Sequence, residues 1–291
     1  MIKLKHAPVY LSLGLLAACG GGAEHTAETS QETAEVKPAA DSTADVVVYN
    51  IPSPAETFAL LKLTNAGFDK ALMNPAEKAA KYSSSFSKAV NLGVYSADMS
   101  YCFMHKQNQD FNNYLKEIKT LNTALGIDGS YGESVAKRMQ DNASNMDSLM
   151  QIASEAGLYA DSYLKENKRV STTAVIAFGA WIEGMHLMVN TASKKPGDLI
   201  HGLIADQKAS VKNLGKMLEQ FPEDADIKTL SGDLKEISAM YEALKPVEAK
   251  GKEANDKQLT SVGAHVTYSF TREELKTLTE KVEALRNKLT N

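Results

Sequence analysis

The sequence is poor in cysteine, with only Cys19 and Cys102 in 291 residues. That excludes a disulfide-stapled scaffold and any zinc or iron–sulfur module built on several thiolates. Aromatic residues are few, 7% of the chain, with a single tryptophan, Trp181. There is no excess of basic charge. The formal net charge is -4, which removes the usual electrostatic basis for nucleic-acid binding. Beyond the N-terminus, no uninterrupted apolar run reaches the roughly 20 residues that a membrane-spanning helix needs. Also missing are Gly-x-Ser-x-Gly, a phosphate loop, His-Glu-x-x-His and a dinucleotide fingerprint. The chemistries those motifs carry have no basis here. Apolar residues, by contrast, make up 43% of the chain. That supports a core, in a length suited to one large or two small domains.

Residues 1–18 read as a signal peptide. Lys3 and Lys5 give a basic start, an apolar stretch runs from Ala7 to Leu16, and Leu16-Ala17-Ala18-Cys19-Gly20 follows. That last run resembles a bacterial lipobox, the recognition site of lipoprotein signal peptidase. An ordinary secretory site also cleaves after small residues, but it does not need a cysteine next. The resemblance implies cleavage before Cys19, a diacylglycerol thioether on its sulfur and acylation of the new amine. Two or more acyl chains anchor stably where one does not. Losing Lys3 and Lys5 would take the formal charge from -4 to -6.

Residues 19–50 then read as the lipidated cysteine and a disordered acidic tether. Glu24, Glu28, Glu32, Glu35, Asp41 and Asp45 face one basic residue, Lys37, in a segment rich in Ala, Thr, Ser and Gly. Such a composition cannot offset the entropy of ordering, and its charge keeps it extended. Residues 51–291 carry 29 basic and 30 acidic residues, a nearly neutral body.

That body reads as all-α, an up-and-down helical bundle of about seven to nine helices. Ser53-Pro54-Ala55-Glu56 and Asn74-Pro75-Ala76-Glu77 each offer a capping side chain, a proline at the first helical position and a glutamate at the third. Thr271-Arg272-Glu273-Glu274 is another capping box, leading into the stripe Leu275, Leu278, Val282, Leu285 and Leu289. Phe111 to Leu125 is periodic, with Gly126 as its stop. Segments near 145–167, 171–193, 198–220 and 224–244 read likewise. From Leu259 to Phe270 the pattern fits a strand or a helix. With no evident strand partner, helix is the expectation.

Two helices carry polar stripes where core is expected. Between Ser87 and His105, the residues Asn91, Tyr95, Asp98, Cys102 and His105 recur at helical spacing. Between Thr172 and Asn190 the chain is apolar nearly all round, except for Glu183, His186 and Asn190 on one stripe, with Gly179 a turn earlier. An acid buried there needs donors, a metal or a ligand. These groups either pair with neighbouring helices and fix packing, or line a ligand site. Glu183-Gly184-Met185-His186 is one Glu-x-x-His, and Asp198 to His201 is a carboxylate analogue at a helix start. A ferritin-like di-iron site needs two true copies and two further glutamates, so no metal or cofactor is expected. Cys102, between Tyr101 and Phe103, reads as a core thiol and not as a nucleophile.

The run Asn91-Leu92-Gly93-Val94-Tyr95-Ser96-Ala97-Asp98-Met99-Ser100-Tyr101 resembles a family of helical envelope lipoproteins of Bacteroidota, in which Leu-Gly-(Val/Ile)-Tyr-x-Ala-Asp-Leu-x-Tyr recurs. Gly179-Ala180-Trp181-Ile182-Glu183-Gly184 resembles its second block. Met99 departs from the pattern where leucine is usual. The resemblance covers residues 81–190 and carries no established activity. It implies a Gram-negative envelope location. It also points to Tyr95, Asp98, Tyr101, Trp181 and Glu183, to which the stripe adds His186. The expectation is therefore a lipid-anchored, non-enzymatic binding or scaffold protein on the periplasmic side of the outer membrane. Its partner would be an envelope protein or a small molecule. The alternative is a metal- or cofactor-binding protein or enzyme using the Glu183/His186 helix.

Overall fold

Five of the described α-helices begin where a side chain satisfies the first free N–H groups, and two capping boxes do this in full. Ser53 and Glu56 bracket the start of α1 (Pro54–Leu61), and Thr271 and Glu274 that of α10 (Arg272–Thr290). Between them lie α2 (Ser85–Met104), α3 (Asn108–Ala124), α4 (Gly132–Asp141) and α5 (Met146–Glu166). Then come α6 (Val170–Lys194), α7 (Asp198–Ala205), α8 (Lys208–Leu218) and α9 (Ala225–Ala243). The computed structural model describes residues 51–130, 132–247 and 267–291. The signal segment, Cys19, the tether to residue 50 and the stretch 248–266 lie outside the described residues.

The body is all-α, with ten α-helices among the described residues where seven to nine were expected. Two differences account for the count. The 198–220 segment breaks at Asp206-Gln207 into α7 and α8. The short α4 shows only Val135 and Met139 as large apolar residues, too faint a period to read.

Asn74-Pro75-Ala76-Glu77 does not open an α-helix. It leads into a 3₁₀ turn at Ala76–Lys81, and Asn74 is wholly buried with its side chain engaged elsewhere. The end of the ambiguous stretch is also not helical. Thr267–Tyr268 (β2) pairs antiparallel with Pro246–Val247 (β1). The partner strand escaped the sequence reading because it is two residues long and contains a proline, which strands tolerate only at edges.

At the centre, α2 packs along α6. Gly93 of α2 lies against Ile176–Ala180 of α6, and Gly179 against the backbone of Val90. A Cβ on Gly93 would sit 2.6 Å from the Ala180 nitrogen, and one on Gly179 would sit 2.8 Å from the Val90 carbonyl carbon. Glycine is required at both positions because backbone occupies the place of the side chain. Asp98 further along meets Glu183, so positions advance together and the two helices run in the same sense. Parallel neighbours need a long crossover, and α3, α4 and α5 provide it. α10 packs on α6 and α2, while α8 and α9 pair beside them. α6 alone among the described helices has the length and mean hydropathy of a membrane span, although Glu183 and His186 interrupt it. It is the core helix, with 72% of its most apolar window buried inside the protein.

Candidate functional site

The α2 and α6 stripes converge. Asp98 and Glu183 are both 0% exposed and turned toward each other at hydrogen-bonding reach. A buried acid pair needs a cation, and it comes from α10. Arg286 donates from Nε to Glu183 Oε2 at 2.9 Å and from Nη2 to Oε1 at 3.0 Å, a bidentate fork. One Asp98 oxygen, Oδ2, accepts the Asn74 backbone N–H at 3.1 Å, while Oδ1 meets no donor among the described residues. Burial first, then the Glu183 carboxylate, push Asp98 well above the usual carboxylate range, against the pull of Arg286 and the Asn74 N–H. A proton on Asp98 supplies the missing donor to Glu183. The trio of Asp98, Glu183 and Arg286 then closes with no net charge. Removing one member of such a buried cluster costs about 3–5 kcal/mol.

His186 does not pair with Glu183 one turn away. Its Nδ1 lies 2.5 Å from Glu283 Oε1 and its Nε2 lies 2.8 Å from the Leu72 carbonyl. Both ring nitrogens are thus engaged, Nδ1 by Glu283 and Nε2 by the Leu72 carbonyl. Asn190 donates to the same Glu283 oxygen at 2.7 Å. Burial would raise the Glu283 carboxyl, but the hydrogen bonds from His186 and Asn190 outweigh it and hold the group below its ordinary value.

The tyrosines do not donate to the acids either. Tyr95 donates to the Pro75 carbonyl at 2.9 Å. Tyr101 accepts the Asp69 N–H at 3.1 Å and stacks on Phe68, with ring centroids 5.5 Å apart. Asn91 donates to the Leu289 carbonyl at 2.9 Å. Each group grips the irregular segment 67–82 or the end of α10. The sixth expected site residue, Trp181, stays apart. Its ring packs edge-on against Phe178 at 6.1 Å, and its indole N–H has no partner among the described residues. Cys102 is fully buried, 3.4 Å from the Met73 sulfur, and burial raises its thiol far from nucleophilic range.

The sequence reading missed Asn74, Tyr114, Glu283 and Arg286. Tyr114 donates to the Asn74 carbonyl at 2.8 Å and completes that residue's role as a hub. A signal for the α10 pair exists in retrospect: Glu283, Arg286 and Thr290 follow helical spacing beside the apolar stripe. Among the described residues, no three or more His, Cys, Asp or Glu side chains group so as to hold a metal ion.

A second place is concave and apolar. The crossover helices α3, α4 and α5 enclose, with α2 and α6, a half-open cavity of about 860 Å³. Leu92 and Met99 of α2, Leu115 and Ile118 of α3, Met139 of α4 and Ile176 of α6 line it. α4 reaches the main core only through Met139. Val135 of α4 packs with Ile152 and Ala156 of α5 in a separate small cluster. The α5 wall is short-chained at Ala153, Ala156 and Ala160, around Gly157, with Asp161 and Leu164 following toward its end. Nothing lies within 4 Å of where a Gly157 Cβ would be. The volume lies within the range of about 300–1,000 Å³ typical of small-molecule sites.

No protein-family model, no curated protein and no solved structure matches this chain.

Proposed function

We propose that this chain is a lipid-anchored, non-catalytic helical binding protein of a Gram-negative envelope, held by Cys19 on the periplasmic side of the outer membrane. We further propose that its ligand site is the cavity between the crossover and the central pair. The 860 Å³ apolar cavity carries this reading. The polar stripes work against the enzymatic or metal-binding alternative on the Glu183/His186 helix. Glu183 is closed by Arg286, and both ring nitrogens of His186 are occupied. These groups hold segment 67–82 and α10 to the centre, a packing role. The lipobox-like run at Leu16–Cys19 and the resemblance of the α2 and α6 blocks to envelope lipoproteins support the location.

The test uses the full chain with Cys19→Ala, purified without detergent, and the neutral apolar dye N-phenyl-1-naphthylamine. Saturable single-site fluorescence enhancement is expected. Adding Gly157→Leu should weaken it by about tenfold or more, since the new side chain fills a site that reads as open space. Unchanged dye binding in the Gly157→Leu chain, with its helicity intact, would refute the cavity as the ligand site.

A further inference from the structure

Resting on the cavity being a ligand site, we infer the class of ligand: a single-chain amphiphile with an anionic head, of the long-chain carboxylate kind. The walls set its body. An apolar interior that is open on one side takes an apolar chain whose polar end remains at the mouth, because a buried head without partners would be costly. The mouth sets its charge. Lys116 and Lys119 lie one turn apart on α3, and Lys137 faces them from α4. Long lysine stems can lie along apolar walls while their ammonium groups stay in water.

The acidic groups at the same rim do not cancel this field. Asp161 is paired through Oδ2 with Lys165 at 2.6 Å, while its buried Oδ1 meets no partner among the described residues. Lys137 is paired in turn with Asp141 at 2.8 Å and contributes little. Lys116 has only a loose contact with Glu117 at 3.8 Å. Lys119 enters no ion pair among the described residues. Against Lys116 and Lys119 stand the rim acid Glu133 and, in that loose contact with Lys116, Glu117. The local balance is cationic on the α3 side, although the body as a whole is nearly neutral.

The geometry of α4 fits the same ligand. Among the helices it packs chiefly on α5, and its inner face shows Met139 to the cavity while Lys137 and Gln140 stand at the edge. A chain inserted beneath it would add to the one link, Met139, between the Val135–Ile152–Ala156 cluster and the main core.

The experiment displaces N-phenyl-1-naphthylamine from the Cys19→Ala chain with palmitate and, separately, with the uncharged alcohol of the same chain length. Palmitate is expected to compete better than the alcohol. Lys116→Gln with Lys119→Gln should weaken palmitate by roughly three- to tenfold, the scale of two exposed charge contacts, and leave the alcohol unchanged. Equal competition by acid and alcohol, unmoved by the lysine changes, would overturn the anionic head and leave the apolar site standing. Dye that neither ligand displaces, and that Gly157→Leu does not affect, would remove the site itself. A chain that sediments as a dimer, and as a monomer after Gly157→Leu, would place a second copy in the groove and defeat the amphiphile.

Discussion

Asp98 holds its place by holding a proton. An unfolded aspartate titrates near pH 4, whereas in the fold burial and Glu183 raise it well above that. Between those two values the folded chain binds a proton that the unfolded chain has lost. Stability therefore falls as pH rises through that window and is fully present below it. Asp98→Asn removes the titration and keeps the shape. Its amide can donate to Glu183 and still accept from the Asn74 N–H. The variant should match the native chain near about pH 4 and become progressively the more stable of the two toward about pH 7. Urea unfolding across that range checks this, and parallel profiles would sink it. Asp98 and Glu183 could be read from the sequence because a charge in an otherwise apolar helix stands out. Arg286 could not, because on an amphipathic helix an arginine reads as part of the solvated face. Only the position of Arg286 between Val282 and Leu289 hinted otherwise.

At the scale of the element, the contact between α2 and α6 depends on two missing side chains. Alanine in place of glycine ordinarily favours a helix by about 1 kcal/mol. At Gly93 and Gly179 that gain is overcome, since a Cβ would meet Ile176 and Ala180 backbone from one side and Val90 backbone from the other. Backbone cannot rotate away, so Gly93→Ala or Gly179→Ala should cost about 1–3 kcal/mol or more. Gly184→Ala is the control on the same helix, with nothing within 4 Å of its Cβ. It should be neutral or mildly stabilising. Equal unfolding midpoints for the three variants would show that the helices can separate freely. Element ends were legible where a cap acts locally, as at Ser53 and Thr271. The Asn74 box failed because Asn74 donates instead to Tyr82 at 2.9 Å, a tertiary demand invisible to a local pattern. The cavity was illegible for a related reason. It arises from how sparsely α4 meets the main core, through Met139 alone, and no periodicity records a sparse contact.

For the whole molecule, the reading separates a body from its attachment. The described residues from Ile51 onward form a continuous core among themselves. Cys19→Ala should therefore release the protein from the membrane and leave the thermal unfolding of the body unchanged. Detergent phase separation and a melting curve check the two halves independently. Continued partition into the detergent phase would count against the anchor.

The central trio also imposes an order on assembly. Arg286 lies 103 residues beyond Glu183 and arrives with α10, after the nine other helices described. A nascent chain that has emerged only through α9 holds two acids at its centre and no cation to meet them. Closing around them would bury uncompensated charge, so the half-made chain is biased to stay open. Under the proposed envelope location, where a chain crosses a membrane before folding, that bias would hold the core open until α10 follows α9.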